Sequence, residues 1–344
     1  MPRRGWRSAP RGSPGETRFL SLHGRGQISI VVRMWTDRLA TKQGSISREL
    51  ERLDPERDNE RMTHLLVEVR YGNSIFAAVV YTLAFMRQMS IPSIMRPVYR
   101  RGTGDIVRAT RQRNDDTLVF FGEIMRSGHS SGRGAEVIDR MNEIHARYKI
   151  DNHQNLYTLA SLILEAQRIG DALGMEVMSS RERDALYYFW RGVGERMGIT
   201  DFPATKEEFL EWVLQYERDN AAYSEGGALI ARLLLDDLAL RFPKPLRWAS
   251  TPLVLALCDE GLLRAHRLPR PPRWQRALGV AAMRGFLVGV RVLPDPPDRS
   301  WVDQFGADTA YPDFARIGQQ RVGPRRTAEP DHAEPDHAEI EQAV

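Results

Sequence analysis

A succession of helix-length amphipathic segments runs through the middle of this chain and leaves little room for any other fold class. Capping boxes at Ser179–Glu182 and Thr205–Glu208 mark two helix starts, and Thr251 followed by Pro252 resembles an N-cap before a first-turn proline. Gly198 stands where the helix after the first capping box would end. Alternating strand patterns are nearly absent. The pattern predicts helices at 45–54, 58–71, 74–89, 104–126, 134–148, 154–170, 180–197, 205–223, 227–241, 252–266 and 273–291.

Both ends of the chain differ from this helical middle. Residues 1–35 contain seven arginines and one acidic residue, whereas the whole chain has a net charge of only +4. Near the other end, the sequence Ala-Glu-Pro-Asp-His occurs twice, at 328–332 and 333–337. Charged or proline-containing sequence without an apolar face is typical of disordered tails. We therefore predict an all-α protein. It has a disordered basic leader at 1–35, one multi-helix globular domain at 36–320 and a disordered acidic tail at 321–344.

Composition excludes several classes of function. Because the positive charge is concentrated in the leader, the folded part lacks the basic face of a nucleic-acid-binding protein, and no nucleic-acid partner is expected. The single cysteine, Cys258, excludes a disulfide framework, a Cys-x-x-Cys zinc cluster and covalent c-type haem. No apolar run reaches about 18 residues and no signal-peptide core is present, so we expect a cytoplasmic protein. The basic leader allows a peripheral contact with an anionic membrane.

An arginine interrupts the apolar stripe of the predicted helix 104–126. Residues at intervals of four and three form this stripe: Ile106, Thr110, Arg113, Thr117, Phe120 and Ile124. A guanidinium on such a face needs an anionic or strongly accepting partner. The sequence alone favours a buried salt bridge to a neighbouring Asp or Glu, and a ligand is the alternative.

The predicted helix 134–148 carries a histidine, His145, on its apolar face, four residues after Met141. A lone inward histidine is most often a hydrogen-bonded core residue. The same helix offers no second histidine three or four residues away. A metal bound by His145 would therefore have to bring most of its own ligands, as the iron of haem does.

Four segments of the chain resemble the MpaB-type oxygenases, which share their catalytic domain with the rubber oxygenases called latex-clearing proteins. The segments are RQRNDDT (Arg111–Thr117), MNEIHARYK (Met141–Lys149), NLYTLASLILE (Asn155–Glu165) and the stretch Arg181–Phe209. The similarity extends from about residue 60 to about residue 240 and is weaker in the C-terminal helices. Its most specific element is Arg-x-x-Asp-Thr, followed about 24 residues later by Met-Asn-x-Ile-His.

The resemblance implies a helical domain that encloses a pocket for non-covalent haem b. The family's proximal histidine corresponds to His145, and the Arg and Thr on the distal side correspond to Arg113 and Thr117. The implied reaction is attack of dioxygen on a C=C bond of a hydrophobic, isoprenoid-like substrate. Arg113 and Thr117 would donate hydrogen bonds to oxygen as negative charge develops on it. Apolar side chains would line the substrate tunnel, among them Phe120, Phe121 and Ile124.

The chain also departs from its relatives. Asp116 occupies the position of a lysine in the rubber oxygenases, as in the MpaB branch, and this argues against lysine-gated chemistry and polymer cleavage. Fungal MpaB members have an N-terminal membrane anchor that is not evident here.

Two alternatives stay open. The first is a non-catalytic helical lipid- or isoprenoid-binding protein of the same fold. The second is a thiolate-ligated haem enzyme that uses Cys258, although the surrounding sequence lacks the glycine-rich loop of the cytochromes P450.

Overall fold

A computed structural model describes residues 44–296, 300–302 and 317. The predicted leader and acidic tail lie outside these residues, as does part of the predicted domain. The described residues form fourteen α-helices, a π-helix at His64–Arg70 and two short 3-10 turns, without a strand, which confirms the all-α prediction. The α-helices are α1 Ser45–Leu50, α2 Asn59–Thr63, α3 Ser74–Met89, α4 Pro92–Tyr99, α5 Asp105–Arg108, α6 Thr110–Ser127, α7 Gly132–His145, α8 Asn152–Leu173, α9 Ser180–Arg196, α10 Lys206–Asn220, α11 Glu225–Arg241, α12 Arg247–Leu257, α13 Glu260–His266 and α14 Arg273–Val292.

Local capping interactions set several helix starts as the sequence predicts. At α9 the Ser179 hydroxyl accepts from the Glu182 N–H, and the Glu182 carboxylate accepts from the Ser179 N–H at 2.7 Å. At α10 the Thr205 hydroxyl accepts from the Glu208 N–H at 3.1 Å. Gly198, with a φ of +76°, follows the end of α9 in the left-handed region that glycine adopts without strain.

Several predicted boundaries are wrong. The segment 104–126 is interrupted at Ala109, whose extended φ of −145° separates α5 from α6. The segment 252–266 is two helices, because Asp259 accepts a hydrogen bond from the Leu262 N–H and caps α13. Helix α12 already begins at Arg247 and contains Pro252, so the Thr251–Pro252 pair is not its start. Helix α4 is not predicted at all, since it contains a second proline, Pro97, that ordinarily signals a break.

Helix α3 lies at the centre of the domain and packs against α4, α6, α8 and α11. An ion network ties it to its neighbours. The Arg87 guanidinium lies 3.0 Å from Glu165 of α8 and 2.9 Å from Asp259, the cap of α13. Within the described residues, no single helix is long and apolar enough to cross a membrane. Helix α3 and the following stretch Pro92–Gly102 have the necessary length and composition only as a pair bent by 107°.

Candidate active site

A cavity of about 290 Å³ lies among helices α3 to α9. Arg113, Thr117 and His145, the three residues that the sequence singles out, all line it. Arg113 and Thr117 come from α6, and His145 is the last residue of α7. The structure thus brings together two motifs that are separated by about 24 residues of sequence.

Most of the cavity wall is apolar. Phe120 and Phe121 line it as predicted, and Phe121 packs edge-on against Trp190 at 5.7 Å between ring centroids. Ile124, the third predicted tunnel residue, is instead fully buried in the helical core and is not part of the wall. A wall of this kind excludes water and favours an apolar ligand.

His145 is half-buried, with a buried Nδ1, and its ring lacks the hydrogen bond that a core histidine usually makes. Its Nδ1 has no partner among the described residues. Burial, with a contribution from the positive charge of Arg113, lowers the pKa of His145 to about 4. The ring is therefore neutral at pH 7 and keeps the lone pair that a metal ligand needs.

Arg113 is half-buried, and its guanidinium makes no ion pair or hydrogen bond with any residue that the structure describes. The carboxylate nearest in sequence, that of Asp115, is bound to other cations. Asp115 lies 2.7 Å from Arg241 of α11 and 3.4 Å from Arg111. The salt bridge favoured by the sequence is therefore not found in the described part of the chain. Arg113 remains a cation on a largely apolar wall, where it can interact with an anionic or electron-rich ligand.

Thr117 and Tyr81 also line the cavity, close to Arg113. The Thr117 hydroxyl donates to the Arg113 carbonyl one turn earlier, at 2.9 Å. The Tyr81 hydroxyl donates to Asn114 Oδ1 at 2.9 Å. Burial raises the pKa of Tyr81 to about 12, despite the opposing effect of Arg113, so its hydroxyl stays protonated. Asn114 is held in turn by its amide, which donates to Asp237 at 2.8 Å.

Sequence reasoning missed Tyr81. It lies in the largely apolar sequence of α3, next to a second buried hydroxyl, that of Thr82. The partner that fixes its orientation, Asn114, is 33 residues away on α6. A tyrosine hydroxyl inside an apolar helix does predict a hydrogen-bond partner, but not which residue supplies it.

Cys258 is not part of this site. It lies at the end of α12, outside the cavity wall, and its thiol donates to the Val254 carbonyl at 3.4 Å. Burial raises the pKa of this thiol well above its usual range, which opposes formation of a thiolate ligand. The thiolate-haem alternative is therefore not supported.

The donor set fits a metal that brings most of its own ligands. The described residues contain no group of three or more His, Cys, Asp or Glu side chains that could hold a metal ion. The cavity offers one neutral imidazole with an unpartnered buried nitrogen, within an apolar wall. These are the features expected for haem, whose porphyrin supplies four ligands and leaves one position for a histidine.

The described residues thus form an all-helical domain with a histidine and an arginine facing one largely apolar cavity. Residues 69–292, well over half of the chain, match the family described as "ER-bound oxygenase mpaB/B'/Rubber oxygenase, catalytic domain". The chain belongs to this family, and the resemblance stated from its motifs is confirmed.

Individual relatives are distant. The ER-bound oxygenase mpaB' of Penicillium brevicompactum is 26% identical over 231 residues, which cover 62% of this chain and 55% of the relative. The ER-bound oxygenase mpaB of Penicillium roqueforti (strain FM164) is 26% identical over 136 residues, which cover 38% of this chain and 46% of the relative. The chain thus spans about half of the length of these relatives.

The expected cytoplasmic location is wrong by this comparison. The relatives are named for their association with the endoplasmic reticulum. The expectation rested on the lack of a long apolar run. The lack of a long apolar run argues only against helices that cross a bilayer, and it gives no information about a protein that binds to the bilayer surface.

Proposed function

We propose that this chain is a haem b-dependent oxygenase that uses dioxygen to cleave a C=C bond of a hydrophobic, isoprenoid-like substrate. The observation that carries this proposal is the state of His145. A neutral, half-buried imidazole, whose buried Nδ1 has no hydrogen-bond partner, faces an apolar cavity in a chain of the oxygenase family. An unmatched buried nitrogen costs about 1–3 kcal/mol in a purely structural role, and ligation offsets that cost.

In this proposal His145 is the protein ligand to the iron, and haem, when bound, supplies the binding and activation of dioxygen. The protein's own residues do the rest. Arg113 presents a positive charge, without a carboxylate partner in the described structure, where negative charge develops on oxygen. Thr117 and the protonated Tyr81 add neutral hydroxyl groups beside it. Phe120, Phe121 and Trp190 hold the apolar substrate and exclude water.

The alternative is a non-catalytic lipid- or isoprenoid-binding protein of the same fold. The apolar wall alone would serve that function. It leaves unexplained why an arginine and a neutral histidine line the same cavity without pairing with other groups, since each is costly in a pocket that only binds hydrocarbon. Absorption spectroscopy separates the two functions.

The test is the visible spectrum of the full chain, expressed and purified with excess haem. We expect a Soret band in the wild type, loss of most of it in His145→Ala, and partial recovery on adding imidazole, which occupies the vacated position. The matched control is His153→Ala, which removes an exposed histidine from the first turn of α8, outside the cavity wall. A colourless wild type, or a His145→Ala spectrum identical to the wild type, contradicts the proposal.

A further inference from the structure

Helix α14 is apolar on two opposite faces. Its inner face packs against α8 and α12 and buries Gly279, Met283, Leu287 and Val290. On the opposite side, residues at intervals of four and three form a single exposed stripe: Trp274, Leu278, Ala281, Gly285, Val288 and Val292.

This stripe is unusual for the surface of a folded domain. Trp274 is 62% exposed, Leu278 55% and Val292 58%. Ten large hydrophobic side chains are exposed in the described part of the chain, and four of them lie on this one helix. Contiguous apolar surface of this kind marks a contact with a partner or a membrane.

The charge around the stripe identifies the kind of partner. Between residues 261 and 294 the chain contains seven arginines and no acidic residue. Arg273, Arg276 and Arg284 of α14 are exposed, and Arg273, Arg284 and Arg291 fall on one flank between its inner and outer faces. Arg284 and Arg291 also donate to the carbonyls of Leu173 and Glu176, which anchors the helix to the end of α8.

We propose that the outer face of α14 docks on an anionic phospholipid membrane, with the helix lying in the plane of the headgroups. An apolar stripe with a tryptophan near one end fits the boundary between headgroups and acyl chains. The flanking arginines fit the negatively charged lipid phosphates. Four arginines within 20 residues make α14 unsuited to cross the bilayer, in agreement with its failing the criteria for a membrane span.

A second copy of this chain fits the same surface less well. Two α14 helices paired about a two-fold axis would bring their arginines together without acidic residues of the helix to compensate them. Such like-charge pairing is unfavourable.

The test is co-sedimentation of the full chain with vesicles, either pure phosphatidylcholine or a mixture with about 30% phosphatidylserine as the probe, at about 0.1 M salt. We expect preferential binding to the anionic vesicles. Trp274→Ser with Leu278→Ser removes apolar contacts, and Arg273→Gln with Arg276→Gln removes charge. Each double variant is expected to weaken binding on the order of tenfold or more. All four side chains are exposed, so the fold should persist, which circular dichroism checks.

Matched controls lie on other helices and loops. Leu214→Ser removes an exposed leucine from α10, and Arg52→Gln with Arg57→Gln removes two exposed arginines near α1. These variants are expected to bind like the wild type. Because the assay does not depend on haem or turnover, its outcome is independent of the proposed activity.

Three results would overturn the proposal. The first is a wild type that does not sediment with anionic vesicles. The second is undiminished binding of both α14 variants, which would assign binding to another segment such as the arginine-rich residues 1–35. The third is a lipid-free dimer that the Trp274→Ser and Leu278→Ser changes dissociate, which would show that the stripe joins two copies of the chain.

Discussion

Two arginine–histidine pairs lie inside this helical domain, and they differ in how many of their polar groups have partners. In the core, Arg87 contacts the carboxylates of Glu165 and Asp259, and the His266 ring lies 2.8 Å from the Met86 carbonyl. In the cavity, the Arg113 guanidinium has no ionic partner among the described residues, and no described group hydrogen-bonds the His145 ring.

The comparison teaches how to recognise a site from the state of its polar groups. Buried polar residues that stabilise a fold are matched by partners, because an unmatched group costs more than its hydrogen bond contributes. Arg87 obeys this rule, and His266 obeys it at Nε2 although its Nδ1 has no partner. Neither the Arg113 guanidinium nor the His145 ring has a hydrogen-bond partner among the described residues. Their unused bonding capacity is what makes them candidates for a ligand, and substitutions in the two regions should therefore have opposite effects on stability and activity.

The largest expected effect separates the two arginines. Arg87→Leu leaves the almost fully buried Glu165 without its cation and is expected to lower the free energy of unfolding by about 3–5 kcal/mol. Arg113→Leu breaks no ion pair in the described structure and should change the free energy of unfolding by less than about 1 kcal/mol. Urea denaturation of the haem-free protein measures both.

The same Arg113→Leu variant should keep its haem yet lose most turnover, because it removes a charge from the cavity and little else. A strongly destabilised Arg113→Leu protein would show instead that this arginine has a structural partner. Full activity in a stable variant would remove it from the mechanism.

The pH dependence of stability provides a second contrast. The folded pKa of His145 is about 4, below the ordinary value of 6.5, so the unfolded chain takes up the proton first as the pH falls. The contribution of the neutral His145 ring to the free energy of unfolding is fully present above about pH 6.5 and is lost towards pH 4. In that range the free energy of unfolding falls by up to about 1.4 kcal/mol for each pH unit. In the His145→Gln variant, this pH dependence of the free energy of unfolding should disappear. Denaturation of both proteins between about pH 4 and 7 gives the difference, and identical slopes would contradict the lowered pKa.

The two histidines should also differ in their effect on stability at neutral pH. His266→Ala removes a fully buried ring and its hydrogen bond to Met86, at an expected cost of about 1–3 kcal/mol, without changing the haem spectrum. His145→Ala should cost less in the haem-free protein, because it breaks no hydrogen bond to a described residue. Thermal unfolding followed by circular dichroism ranks the two variants. A reversed ranking would mean that His145 is the structural histidine.

The smallest expected effect concerns Tyr81. Tyr81→Phe removes the donor to Asn114 and should lower the free energy of unfolding by about 1 kcal/mol. If the hydroxyl also serves the cavity, the variant should shift the Soret band of the haem-loaded protein when azide or cyanide is added, compared with the wild type. Tyr157→Phe is the control, since its hydroxyl donates to Glu217 outside the cavity wall. Equal spectra of Tyr81→Phe and wild type would confine Tyr81 to a structural role.

The sequence by itself determined the helical fold class, most helix positions and the two unusual polar residues, because these depend on local physics. Capping boxes act over three residues, and the 3.6-residue period places Arg113 and His145 on apolar faces whatever those faces pack against. Those two residues are therefore recognisable from their spacing along the chain alone.

Only the tertiary structure decided which buried groups are paired, because pairing depends on residues that are far apart in sequence. Arg241 of α11 engages Asp115 across 126 residues, and Asp259 binds Arg87 across 172. The first of these contacts removes the nearest candidate partner from Arg113. The packing of α6 against α7 then places that arginine and His145 on one cavity, together with Tyr81 of α3. No local sequence pattern contains this information. A charged side chain on an apolar helix face predicts that a partner is required, but not which distant residue supplies it.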